Sequence, residues 1–248
     1  MSRVAIELIP RDADCLNDDL ATVKRIAPSV STINLPDLLR LPLRSWQGAD
    51  LARAQGYAAI PHIRAIDIDP DGPLPCAEQE GLQEVLVIAG DPPPDDTHRT
   101  WPNSSASIIA RYRREAPHLR IYAAFDPYRR APWQELEDIQ RKRDAGAAGF
   151  FTQPLFDMRM FDLCASWLEN DDVFWGLSPV IGPKARAYWE RVNHVVFPSE
   201  FEPALEANIA FARTILTAIR ARGESAYLMP LRVPLEAYLA PLADLLTA

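Results

Sequence analysis

Ala147-Ala148-Gly149-Phe150-Phe151-Thr152-Gln153-Pro154-Leu155-Phe156-Asp157 is the stretch whose reading decides the fold. It follows a charged, helix-patterned segment, residues 133–147, and reads as a short buried strand that stops at polar residues. Gln153 puts an amide where the apolar run ends. Pro154, with no backbone N–H to give, is expected to end regular pairing. A strand that finishes on a polar side chain and runs into a helix is how α/β barrels and open α/β sheets present ligand-binding groups.

The same plan recurs on both sides of that stretch. Upstream, strands are expected over residues 4–10, 30–35, 58–67, 84–91 and 119–125, with helices over 14–27, 45–57 and 106–115. Asp14 is the expected N-cap of the first helix, whose Leu16, Leu20, Val23 and Ile26 recur at helical spacing. Residues 69–73 are turn chemistry, and only a short helical piece over 76–81 fits before the fourth strand. A Pro- and Asp-rich loop follows that strand. Downstream, helices are expected over 161–168, 184–195, 203–222 and 235–246, and strands over 173–180 and 226–231.

Eight strands alternating with helices predict a parallel sheet, either closed or doubly wound. The count of eight favours a single (β/α)8 TIM-type barrel over residues 1–248, near the ~250 residues typical of that fold. No Gly-x-Gly-x-x-Gly follows the first strand, where a dinucleotide-binding sheet would need one.

Composition narrows the function. The net charge is −8 without a basic run, which argues against nucleic acid and anionic membranes as partners. Cys15, Cys76 and Cys164 are scattered and lack metal-ligand spacing, as suits a reduced compartment. The N-terminus is not a signal peptide and no apolar stretch reaches membrane-spanning length, so a cytoplasmic location is expected. The apolar face of residues 203–222 suits either core or a homo-oligomer interface.

Glu7, Asn34, His62, Asp91, Asp126, Gln153 and Ser178 each stand at or near the C-terminal end of an apolar strand. In a barrel those ends share one face, where the active sites of this fold occur. For Asp126 and Ser178 a turn or cap role explains the residue. Glu7 has apolar neighbours on both sides, and burying a carboxyl there without a purpose is costly. One acid, one Asp, one His and one Gln together suit acid catalysis plus hydrogen bonding to a polar heterocycle. Metal binding is not expected, since the set has one histidine and no ligand pair on a helix.

Val4-Ala5-Ile6-Glu7-Leu8-Ile9-Pro10, Pro61-His62-Ile63, Ile88-Ala89-Gly90-Asp91-Pro92-Pro93, Asp144-Ala145-Gly146-Ala147 with Thr152-Gln153-Pro154-Leu155-Phe156-Asp157, and Gly176-Leu177-Ser178-Pro179 resemble methylenetetrahydrofolate reductase. Their order and spacing match across nearly the whole chain, as in a short, divergent member. The resemblance implies FAD-mediated hydride transfer from NADH or NADPH to methylenetetrahydrofolate, giving methyltetrahydrofolate. It implies Glu7 as general acid, Asp91 at the folate and flavin, and Gln153 and Phe156 as folate contacts. It further implies Asn34, His62, Gly90, Glu135, Arg141 and Lys142 as FAD contacts. Ala89, Phe125, Arg129 and Pro183 depart from the family pattern around the cofactor. Those departures leave two alternatives beside the reductase: a relative that oxidises methyltetrahydrofolate in methyl-group catabolism, and a folate- or partner-binding subunit without redox activity.

Overall fold

The structure is a computed structural model that describes residues 2–93 and 98–246, so part of the Pro- and Asp-rich loop after Asp91 lies outside the described residues. Eight parallel strands close into a barrel in chain order: β1 (Val4–Glu7), β2 (Thr32–Leu35), β3 (Ala58–Arg64), β4 (Glu84–Ile88), β5 (Arg120–Phe125), β6 (Gly149–Pro154), β7 (Val173–Leu177) and β8 (Ser225–Leu228), with β8 pairing back onto β1. The helices are α1 (Ala13–Ile26), α2 (Ser45–Ala54), α3 (Ser105–Glu115), α4 (Pro132–Asp144), α5 (Met158–Trp167), α6 (Gly182–Val192), α7 (Leu205–Ala221) and α8 (Leu235–Leu239). The expected (β/α)8 barrel is therefore the fold, with an uneven share of helices. Two helices follow β7, and none follows β3, where a 3-10 turn (Ala65–Asp67) leads into turns.

Residues 76–81, expected to be helical, are among those turns, and Cys76 sits at φ 65°. A left-handed Cys76 and a left-handed Gly81, at φ 71°, bracket the segment and cannot be part of a right-handed helix. The N-cap of α1 is Asp12 rather than Asp14, because the Asp12 carboxylate reaches the Cys15 N–H at 2.7 Å. The closing helix is short, its second half being 3-10 (Ala240–Leu245). On α7, Ala212, Ile215, Leu216 and Ile219 are buried, so its apolar face belongs to the core.

Alternate residues of each strand point inward. Ala5, Ile60, Leu86, Tyr122, Phe151, Phe174, Tyr227 and Met229 fill the barrel. The Phe151 and Phe174 rings stack at 4.1 Å with Tyr122 edge-on to both. The N-terminal end is closed by charge: the Arg3 guanidinium donates two 2.8 Å bonds to Glu84, a third at 2.7 Å to the Tyr122 hydroxyl, and covers the Phe174 ring. Side chains at the other ends of the strands line the opposite, open face.

The deciding stretch does more than end a strand. β6 runs through Pro154, but its register on β7 shifts between Phe151 and Pro154. Within the irregularity the Thr152 hydroxyl accepts from the Gly176 N–H at 2.8 Å and donates to the Gln153 carbonyl at 2.9 Å. The threonine hydroxyl thus takes the Gly176 N–H in place of a ladder carbonyl, and the bulge re-aims the strand end. Gly176 is required for close approach, since a Cβ there would lie 2.4 Å from the Thr152 carbonyl oxygen.

Candidate active site

Glu7 ends β1 next to Asn34 in the register, two residues beyond Ala5, so it shares Ala5's inward face. His62 on β3, Asp91 after β4, Asp126 after β5 and Gln153 on β6 join it around one cavity of about 570 Å³ at the C-terminal end of the barrel. Five of the seven strand-end polar groups thus line one cavity, while Asn34 and Ser178 do not.

The Tyr227 hydroxyl on β8 donates to Glu7 Oε2. No hydrogen bond to Oε1 occurs among the described residues, and that oxygen is open to the cavity. Burial pushes the Glu7 carboxyl up to about 7, with the Tyr227 hydrogen bond pulling the other way. Near neutral pH the group is therefore populated both as an acid and as a base. Burial also drives His62 down to about 3, so its imidazole is neutral. His62 Nε2 faces the amide nitrogen of fully buried Asn34 at 3.3 Å. Asn34 stands behind His62 instead of lining the cavity.

Gln153 lines the cavity and makes no side-chain hydrogen bond among the described residues, which leaves its amide for a ligand. Asp91 sits exposed at the mouth, 3.5 Å from Arg129. Its loop is anchored by Arg64, which donates to the Asp91 carbonyl at 2.6 Å and pairs with Asp67 at 2.7 Å. Gly90 makes the turn at φ +84°, and a Cβ there would meet Ile66 at 2.9 Å. Asp126 accepts from the Tyr128 N–H at 3.0 Å, the turn role expected of it, yet it also lines the cavity, where burial raises its pKa. Ser178 is buried outside the cavity lining, and its hydroxyl has no hydrogen-bond partner among the described residues.

The α4 wall is a charge network. Lys142 pairs with Asp138 at 2.6 Å and donates to the Ala124 carbonyl at 2.7 Å. Arg130 bridges Glu135 and Asp138, each at 2.8 Å. Glu135 and Lys142 line the cavity. Arg141 does not: it lies on the exposed side of α4, 3.4 Å from Asp138. Helical periodicity accounts for the difference, since adjacent residues on a helix point about 100° apart.

Phe156 is also away from the cavity. The chain turns outward after Pro154, and the Phe156 ring packs between Trp189, Phe197 and Phe201 at 5.7, 4.8 and 5.8 Å. It meets the site only at second hand, because Trp189 lines the cavity and Phe156 backs it.

Sequence reasoning missed Tyr227, Asp138 and Arg64. Tyr227 had one signal, a hydroxyl in a short apolar strand, which needs a buried partner. Asp138 and Arg64 had none, because only the closed barrel brings them to the mouth. Among the described residues no group of three or more His, Cys, Asp or Glu side chains could hold a metal ion. Likewise, no helix there is long and apolar enough to cross a membrane.

Residues 51–214 match the family model of methylenetetrahydrofolate reductase, more than half of the chain. The chain belongs to that family. The methylenetetrahydrofolate reductase of Escherichia coli (strain K12) is 27% identical over 155 residues, covering 58% of this chain and 51% of the relative. That of Salmonella typhimurium is 26% identical over the same length. The chain thus aligns with about half the length of these curated reductases. Among solved structures, a Clostridium thermocellum protein described as binding two copies of 5-methyl-5,6,7,8-tetrahydrofolic acid has a TM-score of 0.69 at 12% identity, over 98% of this chain and 94% of that one. An oxaloacetate acetylhydrolase has a TM-score of 0.55 at 12% identity, over 98% and 78%. Such low identities establish a shared barrel.

Proposed function

We propose that this chain is an oxidoreductase that reduces methylenetetrahydrofolate to methyltetrahydrofolate, with FAD as hydride carrier and NADH or NADPH as hydride source. The observation that carries the reading is one cavity holding a carboxyl poised near neutrality, Glu7, with an uncommitted amide, Gln153, and an aspartate at the mouth, Asp91. Membership of the reductase family supports it, as does the folate bound by the Clostridium thermocellum neighbour.

In this reading Gln153 hydrogen-bonds the pterin edge and Asp91 contacts the folate from the rim. Glu7 Oε1 delivers its proton to N10 as the methylene–N10 bond breaks, opening the five-membered ring to the N5 iminium that accepts hydride. In the opposite direction the ionised carboxylate takes the N10 proton back. A carboxyl at about 7 serves either way, and this favours methyltetrahydrofolate oxidation as the second reading.

The residues present fit FAD. Leu86, Ile88, Met229 and Leu231 give an apolar wall for a flat ring, and Arg129, Arg130 and Lys142 offer cations on the α4 side for a diphosphate. FAD, when bound, relays hydride between nicotinamide and folate. A diphosphate there competes with Asp138, which already pairs with Arg130 and Lys142. Asp138→Asn is accordingly expected to tighten FAD binding roughly tenfold, read by quenching of flavin fluorescence. An unchanged affinity would take those cations out of the cofactor site.

The test of the function is anaerobic. Protein loaded with FAD and reduced by NADH or NADPH should reoxidise on addition of methylenetetrahydrofolate, with methyltetrahydrofolate as product. Reduced flavin that persists in the presence of that folate rejects the proposal.

A further inference from the structure

We propose that Tyr227 is the positioning residue of this site: its phenol holds one carboxylate oxygen of Glu7 so that the other faces the ligand and carries the exchangeable proton. The inference rests on the reading of Glu7 as proton donor and adds the group that aims it.

The geometry is built from three strands. Tyr227 pairs with Ala5 on β1 and Gly176 on β7, so its ring and the Glu7 side chain share the barrel interior. The ring is gripped edge-on by Phe151 at 5.1 Å and by His62 at 6.4 Å. Gly176 beside it has no side chain to crowd the ring. Held there, the hydroxyl donates to Glu7 Oε2 and leaves Oε1 on the cavity.

Among the described residues no second group does this job. His62 on β3 and Tyr227 on β8 are the titratable side chains facing Glu7 within the barrel, and neutral His62 turns its Nε2 to Asn34. Arg64 on β3, Asp91 after β4, Asp126 after β5 and Lys142 on α4 stand farther out around the same cavity, and each is tied to another partner. Among the described residues, Tyr227 is the side chain that hydrogen-bonds the Glu7 carboxyl. A donor to the ionised form favours that form, so Tyr227 offsets part of the burial that drives the carboxyl toward neutrality. It keeps the proton transferable in both directions.

The test reads the carboxyl directly. Protein labelled with 13C at the glutamate side-chain carboxyl is titrated by NMR, with Glu7→Gln identifying the Glu7 signal. Tyr227→Phe removes the donor and keeps the ring, and should raise the Glu7 midpoint by about one pH unit. Biosynthetic 3-fluorotyrosine, a stronger donor of nearly the same shape, should lower it, and provides the answer if the Phe variant does not fold. In turnover, the alkaline limb of kcat should move in the same direction as the midpoint. A Glu7 midpoint unmoved by either change overturns the proposal. A Glu7→Gln enzyme with wild-type turnover would instead overturn the role of Glu7 in the reaction, and the NMR result would stand apart from it.

Discussion

Glu7→Gln is expected to lower folate turnover by about 10²–10⁴-fold while the protein stays folded and binds folate and flavin as before. The glutamine carbonyl still accepts from Tyr227, so the shape of the barrel end survives, but no proton can be delivered to N10. Stopped-flow reoxidation of reduced flavin by methylenetetrahydrofolate measures the loss. Turnover within a few fold of wild type would remove Glu7 from the chemistry.

The same variant should change stability with a definite pH dependence. The Glu7 carboxyl is raised from 4.5 to about 7 in the folded chain. Its contribution to stability is therefore fully present below 4.5 and is lost as pH rises through 7, where the folded state must ionise a buried acid. Glutamine never ionises. At pH 8 the variant should be more stable than wild type by about 2–3 kcal/mol, and at pH 4 the gap should close. Urea denaturation at both pH values measures this, and a pH-independent difference would show that Glu7 does not titrate in the barrel.

Gly176→Ala should cost about 3 kcal/mol or more and weaken folate binding in whatever protein still folds. The added Cβ would stand 2.4 Å from the Thr152 carbonyl oxygen and 2.9 Å from that of Gln153, and both are backbone atoms that no rotamer change can move aside. Relief requires β6 and β7 to part, which breaks the Thr152 bridge and swings Gln153 off the cavity. Denaturation midpoints and calorimetric folate titration test the two halves. A variant with wild-type stability would mean that the β6–β7 contact yields without cost.

The alternation of apolar strands with amphipathic helices determined a parallel sheet covered on both faces, and the count of eight strands favoured its closure into a barrel. It also determined which residues stand at strand ends, and hence that Glu7, His62, Asp91 and Gln153 meet. Period-2 and period-3.6 patterns are local, so they survive in one dimension. What they do not carry is direction after a strand stops. Phe156 and Arg141 look equivalent to their site-lining neighbours along the chain, yet one turns outward into an aromatic cluster and the other faces solvent.

Only the tertiary structure decided the partners. Tyr227 reaches Glu7 across 220 positions of sequence, a contact created by the closure of β8 onto β1. The neutrality of His62, the near-neutral titration of Glu7 and the pairing of Lys142 with Asp138 all follow from burial and from neighbours that closure supplies. Strand pattern determines which groups arrive at the open face of the barrel. The low dielectric inside it and the contacts across it decide what charge each one carries there.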